Sequence, residues 1–139
     1  MPTNEDFVER WIHAWKKPAD RFVHLFHAGG TLLQAGMARP ITRDEIPQHI
    51  EVTLALMPDI SNKVKRSVVL GNDCFIEWTG FGTVLGKQYI EWNGASSFTL
   101  RDGFIEAEIA YFDTLPLRRI VDPTLDRGDM FAEAMKQRQ

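Results

Sequence analysis

The chain has 139 residues and a formal net charge of −3, from 16 basic and 19 acidic side chains. This length fits one domain with one core, and the absence of a basic stripe argues against nucleic acid as a partner. The single cysteine, Cys74, excludes an internal disulfide and is expected to be a buried thiol. The polar N-terminus does not resemble a signal peptide, and no apolar run reaches membrane-spanning length. We therefore expect a cytoplasmic protein with no membrane partner.

The first elements in the chain are predicted to be helices. Thr3 and Asp6 form a capping-box-like start, and apolar residues then recur at helical spacing as far as Trp15. Pro18 ends this helix. Residues 19–26 predict a second, short helix.

A short strand and a third helix follow. Gly29 and Gly30 are expected to break the second helix, and residues 31–34 predict a strand. Thr42 opens a better capping box, from which the third helix runs as far as Met57. Pro47 removes one backbone hydrogen bond early in this helix, so we expect an irregular first turn.

The second half of the chain alternates between apolar and polar residues, as strands do. Four strands are predicted, over residues 63–70, 74–84, 89–100 and 104–113. Together these elements predict an α+β fold, in which about three N-terminal helices pack on a strongly curved antiparallel sheet. We assign residues 1–121 to one pocket domain and residues 122–139 to a C-terminal tail.

Alternation along the last strand draws attention to Asp113. This carboxylate ends an apolar row on the predicted core face, whereas Glu106 and Glu108 fall on the opposite face, expected to meet solvent or a partner. In one interpretation the strand has ended, and Asp113 only caps the following turn. In the other it reaches an apolar cavity, where desolvation raises its pKa and suits it to proton transfer. The row consists of Ile105, Ala107, Ile109, Tyr111 and Asp113.

Three segments resemble a known superfamily. The stretch from Asp102 to Asp113, the passage from Leu25 to Gln34 and the loop around Arg43 are similar to the nuclear-transport-factor-two-like superfamily. It includes SnoaL-like polyketide cyclases, ketosteroid isomerases and limonene-epoxide hydrolases. The resemblance implies a cone-shaped, cystatin-like fold around an apolar pocket. It also places Asp113 at the position of the acid that the hydrolases and cyclases use for proton transfer.

The other catalytic residues implied by the resemblance are absent. The Arg-x-Asp pair of the hydrolases falls at Trp78 and Gly80, and their Tyr-x-Asn falls at Leu33 and Ala35. The standard epoxide hydrolase mechanism is therefore not expected.

The ketosteroid isomerase machinery is missing as well. The base of those enzymes falls near Gln34, which takes no proton at neutral pH. Their oxyanion tyrosine falls at Trp11 and their oxyanion aspartic acid near Ala95.

We therefore expect a cofactor-free enzyme of isomerase, cyclase or hydratase type that uses Asp113 on a small apolar organic molecule. The alternative is a non-catalytic ligand-binding or interaction domain of the same fold. The four histidines show no metal-ligand spacing, and His49 is expected to be exposed. A homodimer through outward-facing phenylalanines, Phe75, Phe81, Phe104 and Phe112, is also predicted. The expected ligand-binding residues are Trp11, Gln34, Trp78, Trp92 and Tyr111.

Overall fold

The structure is a computed structural model that describes residues 1–125 and 130–138. The helices are α1 (Phe7–Trp15), α2 (Pro18–Arg21), α3 (Ile46–Leu56), α4 (Leu115–Val121) and α5 (Met130–Gln137). The strands are β1 (Phe26–Gln34), β2 (Ile41–Thr42), β3 (Ser61–Leu70), β4 (Asp73–Val84), β5 (Gln88–Arg101) and β6 (Phe104–Phe112). Within the described ranges, no helix is long and apolar enough to cross a membrane.

All six strands form one sheet in the order β2-β1-β6-β5-β4-β3. Every neighbouring pair is antiparallel except β1 and β6, which run parallel. Helices α1 and α2 precede β1, and α3 lies between β2 and β3 in the chain. The buried face of α1, including Phe7 and Trp11, contributes to the core. The predicted α+β class, with helices packed on a curved antiparallel sheet, is confirmed.

The predicted boundary between the second helix and the first strand is wrong. The predicted helix over 19–26 is α2 followed by a single 3-10 turn, Phe22–Leu25, and strand β1 already begins at Phe26. Gly29 and Gly30 lie inside β1, where its register against β6 shifts. A Cβ at Gly30 would clash with the Ile105 carbonyl oxygen, so the close approach of β6 requires glycine there.

The predicted capping box before α1 is confirmed, whereas Pro47 removes no hydrogen bond from α3, contrary to the prediction. The backbone N–H of Thr3 donates to Asp6, and that of Asp6 donates to Thr3 Oγ1, in a capping-box arrangement that precedes α1. Pro47 occupies the first turn of α3, where the missing N–H has no intrahelical partner to lose. The preceding residues, Arg43–Glu45, form a 3-10 turn, which is the expected irregularity.

A β-bulge in β6 overturns the predicted alternation. Leu100 pairs with Ile105, but Thr99 pairs with Ala107, so Glu106 is an extra residue on β6. An extra residue shifts every later side chain to the opposite face. Beyond the bulge, Glu108 therefore points inward, contrary to the sequence-based prediction.

Candidate functional site

A cavity of about 430 Å³ lies between the helices and the inner face of the sheet. This volume falls in the range of small-molecule sites. Most of its lining is aliphatic or aromatic, and it includes all four tryptophans of the chain. The cavity lining is thus mainly apolar, and its few polar groups determine which chemistry is possible there. The polar side chains in the lining are Gln34, His49, Thr53, Asn62, Ser96, Glu108, Arg118 and Asp122.

Glu108 is the buried carboxyl of this cavity. Its side chain lines the wall formed by β6, and the residue is only 5% exposed. Burial raises the pKa of Glu108 from an ordinary 4.5 to about 8, because the charged form is desolvated, while a hydrogen bond from Ser96 acts in the opposite direction. The Oε1 atom has no hydrogen-bond partner among the described residues. Burial therefore favours the protonated form of Glu108 at neutral pH, and its Oε1 atom lies buried without a partner among the described residues.

Ser96 connects Glu108 to an indole ring. Trp78 Nε1 donates to Ser96 Oγ at 3.1 Å, so the hydroxyl hydrogen of Ser96 is left for the carboxyl. Both side chains belong to the same inner face, where Ser96 on β5 pairs with Ala110 on β6. The row from Trp78 through Ser96 to Glu108 stabilises the carboxyl in one orientation.

Two glycines on the sheet leave room for the rings of Trp78 and Trp92. Trp78 pairs with Gly94 across β4 and β5, and Gly80 pairs with Trp92. A Cβ on Gly94 would collide with the ring of Trp78, and a Cβ on Gly80 with the ring of Trp92. Each indole therefore lies flat over the opposite glycine, and both rings line the cavity. Ligand binding by Trp78 and Trp92 stays a prediction.

The two remaining tryptophans form part of the helical wall. Trp11 and Trp15 lie one turn apart on α1, with ring centroids 6.1 Å apart in an edge-to-face arrangement. Trp15 also packs against Phe22, with centroids 5.0 Å apart. Neither Trp11 Nε1 nor Trp15 Nε1 has a hydrogen-bond partner in the described part of the chain, although both atoms are buried. Both indole rings contribute to the cavity lining, but their nitrogens are buried within the protein.

Gln34 and His49 form a second polar pair on the cavity. His49 Nε2 and Gln34 Oε1 are 3.2 Å apart. The prediction that His49 is exposed is wrong, because α3 holds it half-buried against the cavity. Desolvation lowers the pKa of His49 below its ordinary 6.5, so the imidazole is neutral at neutral pH. Gln34 lies in the cavity lining, and ligand binding by it stays a prediction.

Two sequence-predicted site residues lie elsewhere. The bulge turns Tyr111 outward, where it is 57% exposed, and it does not line the cavity. Asp113 follows the end of β6, is exposed, and accepts a hydrogen bond of 3.0 Å from the backbone N–H of Leu115 at the start of α4. The core-face placement of Asp113 is therefore wrong, and its geometry matches the turn-capping interpretation. A role for it in proton transfer stays a prediction without support from its position.

The bulge also corrects the set of outward-facing phenylalanines. Phe112 lines the cavity, and its ring lies 5.9 Å from that of Trp78. Phe75 is exposed on the outer face, as predicted. Homodimerisation through this face stays a prediction.

The solvent side of the cavity is bordered by the C-terminal part of the described chain. Leu117, Arg118 and Val121 on α4 contribute to the lining, as do Asp122 and Leu125 beyond it. Those last two residues fall in the segment assigned above to the tail. No group of three metal-ligating side chains occurs among the described residues. The division of the chain at residue 121 stays a prediction.

The sequence matches the model of one protein family. The SnoaL-like domain family matches residues 8–108, and the chain belongs to this family. A search of curated proteins gives no significant match.

Solved structures share the fold at low identity. A nuclear-transport-factor-two-like protein from Burkholderia pseudomallei has a TM-score of 0.77 at 12% identity, over 88% of this chain and 99% of that chain. A protein assigned as a SnoaL-like polyketide cyclase from Jannaschia sp. CCS1 has 0.72 at 16%, over 84% and 89%. A phenazine biosynthesis-related protein from Pseudomonas aeruginosa has 0.71 at 21%, over 91% of each.

Proposed function

We propose that this chain is a cofactor-free enzyme that moves protons on a small, largely apolar carbonyl compound, with Glu108 as the general acid. One observation supports this above all: a buried carboxyl, whose protonated form is favoured at neutral pH, lines a cavity of ligand size. A general acid must hold its proton at the working pH and reach the atom that receives it. Burial supports the first requirement for Glu108, and its place in the cavity wall supports the second.

His49 is the complementary base. Burial favours the protonated form of Glu108 and the neutral form of His49, so Glu108 can donate a proton and His49 can accept one. In the proposed step, the imidazole removes a proton from the carbon next to the carbonyl. The C–H electron pair forms a C=C bond, and the carbonyl oxygen takes the proton of Glu108 to give an enol. Return of a proton to a different carbon completes an isomerisation or prepares ring closure.

This pairing fixes the direction of the pH dependence. Activity is lost as the pH falls through the lowered pKa of His49, because the imidazole becomes charged. Activity is also lost as the pH rises through about 8, where Glu108 gives up its proton. We expect a bell-shaped rate profile with its maximum between these two pKa values.

Hydrogen–deuterium exchange tests the proposal without knowledge of the natural substrate. The probe is para-diacetylbenzene in heavy water, and proton NMR follows the loss of its methyl signal with and without enzyme. Glu108→Gln keeps the shape of the side chain but removes its acidity, and we expect about 10²- to 10⁴-fold slower enzymatic exchange. Glu106→Gln is the matched control, because Glu106 is the exposed bulge residue of the same strand and should leave the rate unchanged.

Two outcomes would contradict the proposal. One is wild-type protein that fails to accelerate exchange of this diketone and of related aryl ketones. The other is equal activity in wild type and Glu108→Gln. If ligands bind but exchange is not accelerated, the non-catalytic binding function replaces the enzyme.

A further inference from the structure

We infer that Gln34 is a positioning residue for His49: its side-chain oxygen holds the imidazole in the tautomer with hydrogen on Nε2, and Nδ1 is the nitrogen that removes the substrate proton. This inference rests on the proposed function and names the reacting atom of its base. Its basis is the contact of 3.2 Å between His49 Nε2 and Gln34 Oε1, while Nδ1 has no hydrogen-bond partner among the described residues.

The contact joins two residues whose backbones are fixed. The backbone N–H of Gln34 donates to Met37 Sδ at 3.3 Å, and the Gln34 carbonyl oxygen accepts from the Met37 N–H at 2.9 Å. His49 lies within α3, where Thr53 Oγ1 donates to its carbonyl oxygen at 2.9 Å. Side chains on fixed backbones present their polar atoms at defined places, so the bond between Gln34 and His49 is preorganised.

The atom that faces Nε2 decides which nitrogen of the ring is basic. An amide oxygen only accepts, so Nε2 carries the hydrogen of the neutral imidazole and the lone pair is on Nδ1. When Nδ1 takes the substrate proton, Nε2 keeps its hydrogen and the bond to Gln34 persists. A hydrogen bond strengthens when its donor becomes charged, so Gln34 stabilises the imidazolium that the step forms.

The Nδ1 atom of His49 is accessible. It makes no hydrogen bond in the described part of the chain, yet it is not one of the buried polar atoms without a partner, a group that includes the indole nitrogens of Trp11 and Trp15. His49 also lines the cavity. An accessible nitrogen without a partner, on a residue of the cavity wall, is able to meet a substrate.

An amide suits this position better than a carboxylate. Desolvation lowers the pKa of His49, and its Nε2 contacts a neutral side chain. A carboxylate in the place of Gln34 would favour the charged imidazole, which has no lone pair left to accept a proton. A neutral acceptor orients the ring and leaves it basic at neutral pH.

Gln34 also links the base to the strand beside the acid. In the pairing of β1 with β6, Leu32 is opposite Glu108 and Gln34 is opposite Ala110. Gln34 and Glu108 are therefore two residues out of register on neighbouring strands, and both line the cavity. The bond to Gln34 holds His49 of α3 against this part of the sheet.

NMR of the histidine rings reports the tautomer directly. Long-range nitrogen–proton correlation spectra distinguish a ring nitrogen that carries hydrogen from one that does not, and His49→Gln assigns the His49 signals. At neutral pH we expect wild-type His49 to carry its hydrogen on Nε2 alone. Gln34→Leu has a similar size and no acceptor, so it should show a larger share of the other tautomer. Gln48→Leu is the matched control, because Gln48 is exposed on α3 and should leave the spectrum unchanged.

The kinetics of para-diacetylbenzene exchange separate positioning from ligand binding. Because Gln34 acts through His49, Gln34→Leu should lower kcat by about three- to tenfold, the effect of one neutral hydrogen bond. The KM should stay within about twofold of wild type, since no contact to the ligand is lost. Gln48→Leu should change neither constant.

Three results would overturn the inference. They are a wild-type His49 with its hydrogen on Nδ1, a tautomer that Gln34→Leu leaves unchanged, and a Gln34→Leu variant with raised KM and unchanged kcat, which would make Gln34 a ligand-binding residue. If Gln34→Leu does not fold, Gln34→Met, which is unbranched and lacks the amide oxygen, replaces it. Failure of the proposed function is distinguishable: wild type would then not accelerate exchange, while the tautomer of His49 would still depend on Gln34.

Discussion

Two carboxyl groups, one on β6 and one just past its end, have opposite environments. Glu108 lies within β6 at the cavity wall, almost fully buried, with its pKa raised to about 8. Asp113 lies just past the strand, exposed, and caps the first turn of α4 through the N–H of Leu115. The side chains differ by one methylene, so the contrast comes from position alone. A carboxyl becomes a candidate acid when the fold removes water from it, and the bulge at Glu106 determines which carboxyl that is.

The largest effect expected from this contrast is in the pH dependence of stability. The pKa of Glu108 is 4.5 ordinarily and about 8 in the folded protein, so the unfolded chain loses this proton first. Glu108 contributes its full stabilisation below pH 4.5, the pKa in the unfolded chain. This contribution is lost as the pH rises through about 8, the pKa in the folded protein. We expect wild type to lose about 4 kcal/mol of unfolding free energy from this group between about pH 5 and pH 8.

Urea unfolding at the two pH values measures this loss, and Glu108→Gln should abolish it. Glu106→Gln, on the exposed bulge, should keep the full dependence. Parallel stability curves for wild type and Glu108→Gln would show that Glu108 is not held neutral by the fold.

Gly94→Ala should produce the next largest effect. The new Cβ would collide with Trp78, whose ring lies flat over this glycine. We expect a loss of about 1–3 kcal/mol, the usual cost of overpacking. Because Trp78 donates to Ser96, the pKa of Glu108 measured by carbon NMR should also change. Gly29→Ala is the control: a Cβ there meets nothing within 4 Å, so it should change neither quantity.

Ser96→Ala tests the hydrogen-bonded row beside Glu108. Removing the hydroxyl leaves Trp78 Nε1 without its acceptor, which should cost about 1–2 kcal/mol in chemical denaturation. Ser96 lowers the pKa of Glu108, so the variant should raise that pKa further, and carbon NMR titration would show the midpoint at higher pH. Ser97→Ala is the control, because Ser97 lies on the opposite face of β5 from Ser96. This variant should leave the pKa of Glu108 unchanged. If the titration midpoint of Glu108 is unchanged in Ser96→Ala, Ser96 does not influence the pKa of Glu108.

The smallest effect belongs to Asp113. Asp113→Ala removes one acceptor from the backbone N–H of Leu115, and we expect a loss of about 0.5–1 kcal/mol in thermal or urea unfolding. Exchange of para-diacetylbenzene should continue at the wild-type rate. A large drop in that rate would instead favour the catalytic role inferred for Asp113 from the family resemblance. Asp113, and not Glu108, would then be the candidate acid.

Much of the fold could be predicted from the sequence because its signals are local. The period of apolar residues defines α1, and the glycines at β4 and β5 accommodate the indoles of Trp78 and Trp92. The start of β1 was missed because Phe26 continues an apolar helical pattern, and only the pairing with β6 draws it into the sheet.

The identity of the central carboxyl was not predictable in the same way. The sequence by itself predicts a short α+β domain rich in aromatic residues, with Trp11 and Gln34 expected in its pocket only from the family resemblance. It does not determine the bulge, because an extra residue at Glu106 follows from how β5 and β6 align after their tight turn. Only the tertiary structure decides that alignment, through the packing of Ile105 and the later strand residues against the core. The choice of Glu108 over Asp113 is therefore a property of the assembled sheet.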